Sequence, residues 1–261
     1  GPKEDLDLTE NTQPAIFLVS YSIFKALENE TSLKLNHAKF YAGHSLGEYS
    51  ALCCANSINF DQTINLLKHR GISMQNSVPK GQGGMLAVLG SNINEISKIL
   101  NKNVDNYKCY IANDNSIGQI VISGDLKSLE LLKIDLQKIN IKCVNLQVSA
   151  PFHCPMMSLA TSEMKNQIEE TKFSDPIVDI VSNVTAKPLK NSENIKKHLI
   201  EQIEKPVRWR ESINYMLNSG VNKFIEIGPG KVLSGLVKRI ERNAILNQVN
   251  FLSDLKNIKN D

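Results

Sequence analysis

Gly43-His44-Ser45-Leu46-Gly47 sets a hydroxyl between two glycines and is followed at once by the helix-forming run EYSALCC. This is the G-x-S-x-G spacing of a nucleophile elbow. A serine on a tight strand-to-helix turn has a strained backbone, and small flanking residues keep side chains out of its way. The turn aims the hydroxyl at the N-terminus of the next helix, where the Leu46 N–H could meet a developing oxyanion. Five letters arise often by chance, so the pattern needs its context: a strand before it and a helix after it.

A serine nucleophile needs a base. The histidines are His37, His44, His69, His153 and His198. His44 lies inside the elbow, so its ring must point elsewhere, and His37, His69 and His198 sit in polar or helical contexts that read as surface. His153, in Ser149-Ala-Pro-Phe-His-Cys-Pro, follows a strand and precedes a helix, and Pro151 and Pro155 stiffen its loop. It is favoured on that placement. The order Ser, acid, then a His near the end would mark an α/β-hydrolase. Here more than a hundred residues follow His153, so that fit is poor. Arg70 by its sequence alone reads as a helix-surface arginine.

The elements that must hold these groups are legible in the apolar spacing. A helix is expected over 12–27, with Pro14 in an early turn, then a short strand over 38–43 and helices over 46–55 and 60–78. A strand (84–90), a helix (93–102), two strands (109–113 and 119–124) divided by a turn at Asp114-Asn115-Ser116, a helix (126–139) and a strand (142–148) follow. This βαββαβ order suits a small ferredoxin-like subdomain. Beyond it come a helix from Pro155 to Glu170, a strand over 177–183, helices near 193–204 and 210–219, a strand over 223–228 and a helix over 231–240. The expectation is an α/β fold: a parallel-sheet, hydrolase-like body formed by 1–81 and 149–261, with an inserted ferredoxin-like subdomain at 82–148. The tail LKNIKND is expected to fray.

Composition narrows the classes. At 261 residues, 41% hydrophobic and 22% charged, the chain reads as a globular protein, and a net charge of +3 gives no reason to expect nucleic acid. The five cysteines, Cys53, Cys54, Cys109, Cys143 and Cys154, form no C-x-x-C pair and no metal-ligand spacing, so neither a disulfide framework nor a zinc site is expected. No apolar run approaches the roughly 20 residues of a membrane span. A cytoplasmic setting is expected.

GHSLGEYSAL, SAPFHCPMM and IEIGPGKVLSGLVKRI, with TQPAIF at 12–17, HRGISMQ at 69–75, NSIGQIVISG at 115–124, SNVTAKP at 182–188 and KPVRW at 205–209, together resemble the malonyl-CoA:acyl-carrier-protein transacylases of bacterial fatty acid synthesis. The resemblance covers nearly the whole chain and implies the same α/β body with a ferredoxin-like insert. It implies Ser45 as nucleophile, His153 as base, and a main-chain carbonyl of Gln202 in the place of a triad acid. It implies an oxyanion donor at Leu46 and a buried Arg70 that pairs with the substrate's free carboxylate, which reverses the surface reading. Gln13 and Asn115 match polar residues lining the pocket, and His44 is counted with them. Phe152 is compatible with malonyl choice. The implied partners are malonyl-CoA and acyl carrier protein, with no metal and no further cofactor. Acyl carrier protein is acidic, so Lys196, Lys197, Arg208, Arg210, Lys238 and Arg239 are candidates for its docking face.

The family begins with a strand and a G-Q-G-x-Q turn that carries the second oxyanion donor, and no match to it precedes GPKEDLDLTENTQPA. GQGGM at 81–85 lies past Arg70 and is a decoy. Taken literally, the chain is therefore expected to be weakly active or inactive, because one oxyanion donor is typically worth roughly 10²–10³ in rate. Other readings stay open at this stage: an acyltransferase of a polyketide synthase, a serine hydrolase or thioesterase, and an inactive fragment that grips carrier protein.

Overall fold

Residues 1–102, 107–148 and 150–258 are described in this computed structural model. The chain opens with helices α1 (Lys3–Leu6) and α2 (Thr9–Glu30), strand β1 (Tyr41–Ala42) and helices α3 (Leu46–Cys54) and α4 (Phe60–Asn76). Strand β2 (Gly83–Leu89), helix α5 (Ile93–Lys102), strands β3 (Cys109–Ser116) and β4 (Gln119–Asp125), helix α6 (Leu126–Lys138) and strand β5 (Lys142–Asn145) follow. The remainder comprises α7 (Ser158–Glu170), β6 (Ile180–Val181), β7 (Pro188–Leu189), α8 (Ser192–Gln202), α9 (Trp209–Asn218), β8 (Lys223–Ile227), α10 (Val232–Ile240) and β9 (Ile245–Val249).

Residues 83–145 build one antiparallel sheet in the order β3-β4-β2-β5, the ferredoxin-like arrangement, which carries its own core of Leu86, Val88, Ile96, Ile120, Ile122, Leu129, Leu132 and Leu136. The alternating apolar residues of β2 and β4 and the stripe on α6 supply that core, as a period of two against a period of 3.6 requires. The turn expected at Asp114-Asn115-Ser116 is not there. β3 runs on to Ser116 through two irregularities, and the chain reverses at Ile117-Gly118, where Gly118 has φ 74°. All three are strand residues, and the side chains of Asp114 and Asn115 have partners across the molecule, while Ser116 bonds to the neighbouring Ile117 carbonyl.

The body is held differently. β1 pairs with β6 and β8 with β9, both in parallel, while β7 adds an antiparallel edge to β6. The two ladders share no strand pairing among the described residues. Strands of two to five residues are all that remain between the helices, and cores around Tyr49, Leu52, Leu67 and Met164 and around Trp209, Ile213 and Leu236 bind the layers. Pro14 falls at the sixth residue of α2, inside the helix rather than in its first turn. The sequence pattern also passes over β7 and β9. Of the tail, Leu255 and buried Ile258 pack with Phe24, Leu27 and Val249, so the chain is tied down to that point. Residues 259–261 of that expectation, and Ser149 at the start of the second body segment, lie outside the described residues.

Candidate active site

Ser45 sits at φ 53° and ψ −112°, between β1 and the first residue of α3. That left-handed backbone is rare for a residue with a side chain and marks a functional turn. Only one of the two elbow glycines is sterically required. A Cβ on Gly43 would lie 1.9 Å from the Gly47 carbonyl oxygen, whereas one on Gly47 would meet nothing within 4 Å. Asn183 clamps the turn from the loop after β6: its Oδ1 accepts the Ser45 N–H at 2.7 Å and its Nδ2 donates to the Gly43 carbonyl at 2.8 Å. The Leu46 N–H stands outside the α3 ladder, whose nearest bonds run from Gly47 N–H to His44 O and from Glu48 N–H to Ser45 O.

The imidazole of His153 comes from the loop before α7, with φ 59° at the residue itself. Its Nε2 is 2.8 Å from Ser45 Oγ, and its Nδ1 is 2.8 Å from the main-chain oxygen of Gln202. A carbonyl can only accept, so Nδ1 carries the proton and Nε2 is free to accept from the serine hydroxyl. Gln202 closes α8, and a carbonyl in the last turn of a helix lacks an intrahelical partner and sits at the negative end of the dipole. That end orients the ring and would favour a transient imidazolium without a carboxylate. In the resting site the ring is neutral. Burial, and then the positive charge of Arg70, push the His153 pKa down to about 3.

Arg70 is 1% exposed, the opposite of a surface arginine. It lies on the buried face of α4 with Thr63, Leu66, Leu67 and Met74, at the three-and-four spacing that an apolar residue would be expected to fill. Gly71 lets α2 approach: a Cβ there would stand 2.5 Å from the Glu10 Cα. That closeness brings Gln13 Oε1 to 2.7 Å from Arg70 Nη1. Nη2 donates to Gln202 Oε1 at 2.8 Å and to Ser45 Oγ at 3.2 Å. Each of these three acceptors is neutral. The buried carboxylate of Glu48 accepts from Gln202 rather than from the guanidinium.

The insert contributes Asn115, whose Oδ1 is 2.8 Å from His44 Nε2, and the His44 ring stands 5.6 Å from that of Trp209. Burial pushes the His44 pKa below the usual histidine value. A parallel bridge joins Asn113 to Val207, and the bidentate pair of Arg210 with buried Asp114, at 2.8–3.0 Å, ties β3 to α9. Phe152 lines an open cleft of about 220 Å³ with Asp7, Thr9, Thr12, Gln147 and Val148.

All eight residues singled out in the sequence are thus placed. Ser45, His153, Gln202, Arg70 and Gln13 form one connected network with Leu46 at its edge, and His44 and Asn115 form an adjoining pair. His37 and His69 are exposed, and His198 bonds back to the Asn194 carbonyl of its own helix. Among the basic candidates, Arg210 is spent on Asp114, Arg208 on Glu211, and Lys196 on the Glu169 carbonyl. Arg239 reaches across to Gln119 of the insert. Sequence reasoning missed Asn183 and Glu48. Glu48 follows Ser45 by three residues, a spacing that reads blandly as a helix-capping pair, yet the Ser45 side chain caps nothing.

A hydroxyl bonded to a neutral imidazole, beside a buried cation and a helix-terminal N–H, is an arrangement suited to acyl transfer. The chain belongs to the acyl transferase family: the profile of the acyl transferase domain matches residues 1–251. It is 40% identical over 245 residues to the malonyl CoA-acyl carrier protein transacylase of Bacillus subtilis (strain 168), covering 93% of this chain and 76% of that protein. The namesake of Escherichia coli (strain K12) is 36% identical, over 92% of this chain and 77% of that one. The solved acyl-carrier-protein-S-malonyltransferase of Bartonella henselae superposes with a TM-score of 0.95 at 39% identity, over 98% and 82% of the two chains. A malonyl-transacylase solved in complex with its type II polyketide acyl-carrier protein superposes at 0.93 with 35% identity, over 98% and 82%.

Proposed function

We propose that the protein transfers a malonyl group from malonyl-CoA to the phosphopantetheine thiol of acyl carrier protein, supplying fatty acid chain elongation. The observation that carries this reading is the contact of one guanidinium with the reacting hydroxyl. Arg70 Nη2 lies 3.2 Å from Ser45 Oγ, itself 2.8 Å from His153 Nε2. A cation held there with only neutral acceptors suits an acyl group that brings its own carboxylate, and the planar fork can bind it with two parallel hydrogen bonds.

The steps follow from the atoms in place. Ser45 Oγ attacks the thioester carbon while its proton passes to His153 Nε2, and the negative charge gathers on the thioester oxygen near the Leu46 N–H. The C–S bond then breaks, the sulfur takes the proton from His153, and coenzyme A leaves a malonyl ester on Ser45. A carrier-protein thiol, deprotonated by the same imidazole, attacks that ester, and Ser45 recovers its proton as the new thioester departs. Gln13 holds Arg70, and the His44–Asn115 pair forms a wall next to Ser45. The side chains present supply both the nucleophile and the proton carrier, so we propose that no cofactor beyond the thioester is used. We place the enzyme in the cytoplasm, a setting that suits five free thiols and the lack, among the described residues, of a helix long and apolar enough to cross a membrane.

Brief exposure to malonyl-CoA followed by intact-mass measurement tests the reading. One malonyl adduct, absent after Ser45→Ala, and discharged by acyl carrier protein, is the expected result. An adduct that survives the substitution would remove Ser45 from its role, and free malonate as the dominant product would replace transfer by hydrolysis.

A further inference from the structure

Glu48 is fully buried one helical turn beyond the nucleophile, and the steps above give it no part. Its Oε2 accepts from Gln202 Nε2 at 2.6 Å and from the Asn183 N–H at 3.4 Å. The same Gln202 Nε2 also donates to the Ser45 carbonyl at 3.1 Å. These two acceptors fix the amide above about pH 7, where Glu48 is ionised, because a carboxylate and a carbonyl oxygen offer no proton and must face the NH₂ end. The other end of the amide, Oε1, is therefore turned to Arg70 Nη2 at 2.8 Å. Were the amide reversed, an NH₂ would face a guanidinium NH₂, with no acceptor between them.

We infer that Glu48 is a positioning residue that sets the Gln202 amide and, through it, the direction of the Arg70 fork, so that it governs selection of carboxylated acyl groups. The inference rests on the reading of Arg70 as the carboxylate-binding group. Its reach is specific. Gln202 meets His153 through the main-chain oxygen of a helix end, which stays in place whichever way the side-chain amide points. It meets Arg70 only through the side chain. Disturbing Glu48 should thus fall on the choice of acyl group more than on the serine–histidine exchange. Burial raises the Glu48 pKa to about 7 against the hydrogen bonds that favour its charge, so the group is kept where its acceptor role costs desolvation.

The test compares self-acylation from malonyl-CoA with that from acetyl-CoA, an acyl thioester with no carboxylate, in wild type, Glu48→Met and Glu48→Gln. Methionine keeps the length and removes the acceptor. The expected result is a fall of about tenfold in the malonyl-over-acetyl ratio of kcat/KM, the size of one lost hydrogen bond to a charged group. Glutamine restores an acceptor oxygen and should recover most of that ratio. Placing Glu48→Met in an Arg70→Ala background should lower the ratio no further, since the residue through which it acts is gone. Equal loss with both thioesters, or an undiminished ratio, would overturn the inference. If thermal unfolding shows that Glu48→Met does not fold, Glu48→Gln alone decides, with a smaller fall in the ratio expected and equal losses overturning it. The wild-type adduct measured alongside separates this outcome from failure of the functional reading, which would leave no malonyl on Ser45 at all.

Discussion

The insert and the body solve opposite problems. The insert is a continuous four-stranded sheet with a closed core, and it hands the site one side chain, Asn115. The body has strands of two to five residues in two separate ladders, and it supplies Ser45, Arg70, His153 and Gln202 from an elbow, a helix face, a loop and a helix end. Regular hydrogen-bonded sheet gives rigidity but few directions for a side chain to point. Helix ends and left-handed turns leave N–H and C=O groups unpaired, and those unpaired groups are what a reaction needs. On the proposed function the body carries the chemistry, and the insert carries a wall that must be held in register with it.

If that division is right, the largest loss comes from the body's own nucleophile and base. Ser45→Ala or His153→Ala should lower malonyl transfer by on the order of 10⁴–10⁶, measured as single-turnover loading of acyl carrier protein, while leaving thermal unfolding close to wild type. A variant of the insert with a comparable loss at saturating substrate would break the division. Arg70→Ala comes next. It should cost roughly 10²–10³ in kcat/KM for malonyl-CoA, with acetyl-CoA spared. Arg70→Lys should recover little, because a single ammonium cannot reproduce the contacts to Gln13, Gln202 and Ser45 that the fork makes at once.

The insert is tested at its tether. Asp114→Asn leaves Arg210 facing a neutral partner where a nearly buried carboxylate now meets it. With that pair weakened, Asn115 should be held less firmly against His44. The expected outcome is a KM for malonyl-CoA raised by about fivefold, the scale of one ordinary hydrogen bond, with kcat within about twofold. A fall in kcat without a change in KM would mean that the insert takes part in the chemical step.

The same contrast decides what was legible beforehand. The insert could be read in outline from its short apolar runs and its βαββαβ element order, although β2, β3 and β4 are largely buried on both faces. The misread turn at Asp114-Asn115-Ser116 came from taking polar residues for exposed ones, when Asp114 pairs with Arg210 and Asn115 with His44 of the body. In the body, Ser45 and His153 stood out because glycine and proline punctuate their turns. Arg70 did not, since its burial depends on α2 coming close over Gly71, a long-range contact that no local pattern records. Asn183 and Glu48 were silent for the same reason: their partners lie more than a hundred residues away. The resemblance to a family implied that Arg70 is buried for its substrate, and the structure shows how α2, brought close over Gly71, covers it.

The smallest expected effect is on stability against pH, and it sets two buried groups of the body against each other. The His153 pKa falls from 6.5 to about 3 on folding, so between those values the unfolded chain binds a proton that the folded one refuses. Stability from this residue is whole above about pH 6.5 and drains away as pH falls towards 3. Glu48 runs the other way. Its pKa rises from 4.5 to about 7, so the folded chain binds the extra proton, and stability grows as pH falls from 7 to 4.5. Over pH 4.5–6.5 the two slopes oppose one another, and below 4.5 only the histidine's loss continues. The wild-type Tm should therefore change little between pH 6.5 and 4.5 on account of this pair and then drop. Glu48→Gln removes the opposing slope, so its Tm, measured by calorimetry across the same range, should begin to fall near pH 6.5. A variant whose acid midpoint matches wild type would mean that Glu48 stays ionised in the folded protein, and that its bonds to Gln202 and Asn183 outweigh the cost of burying its charge.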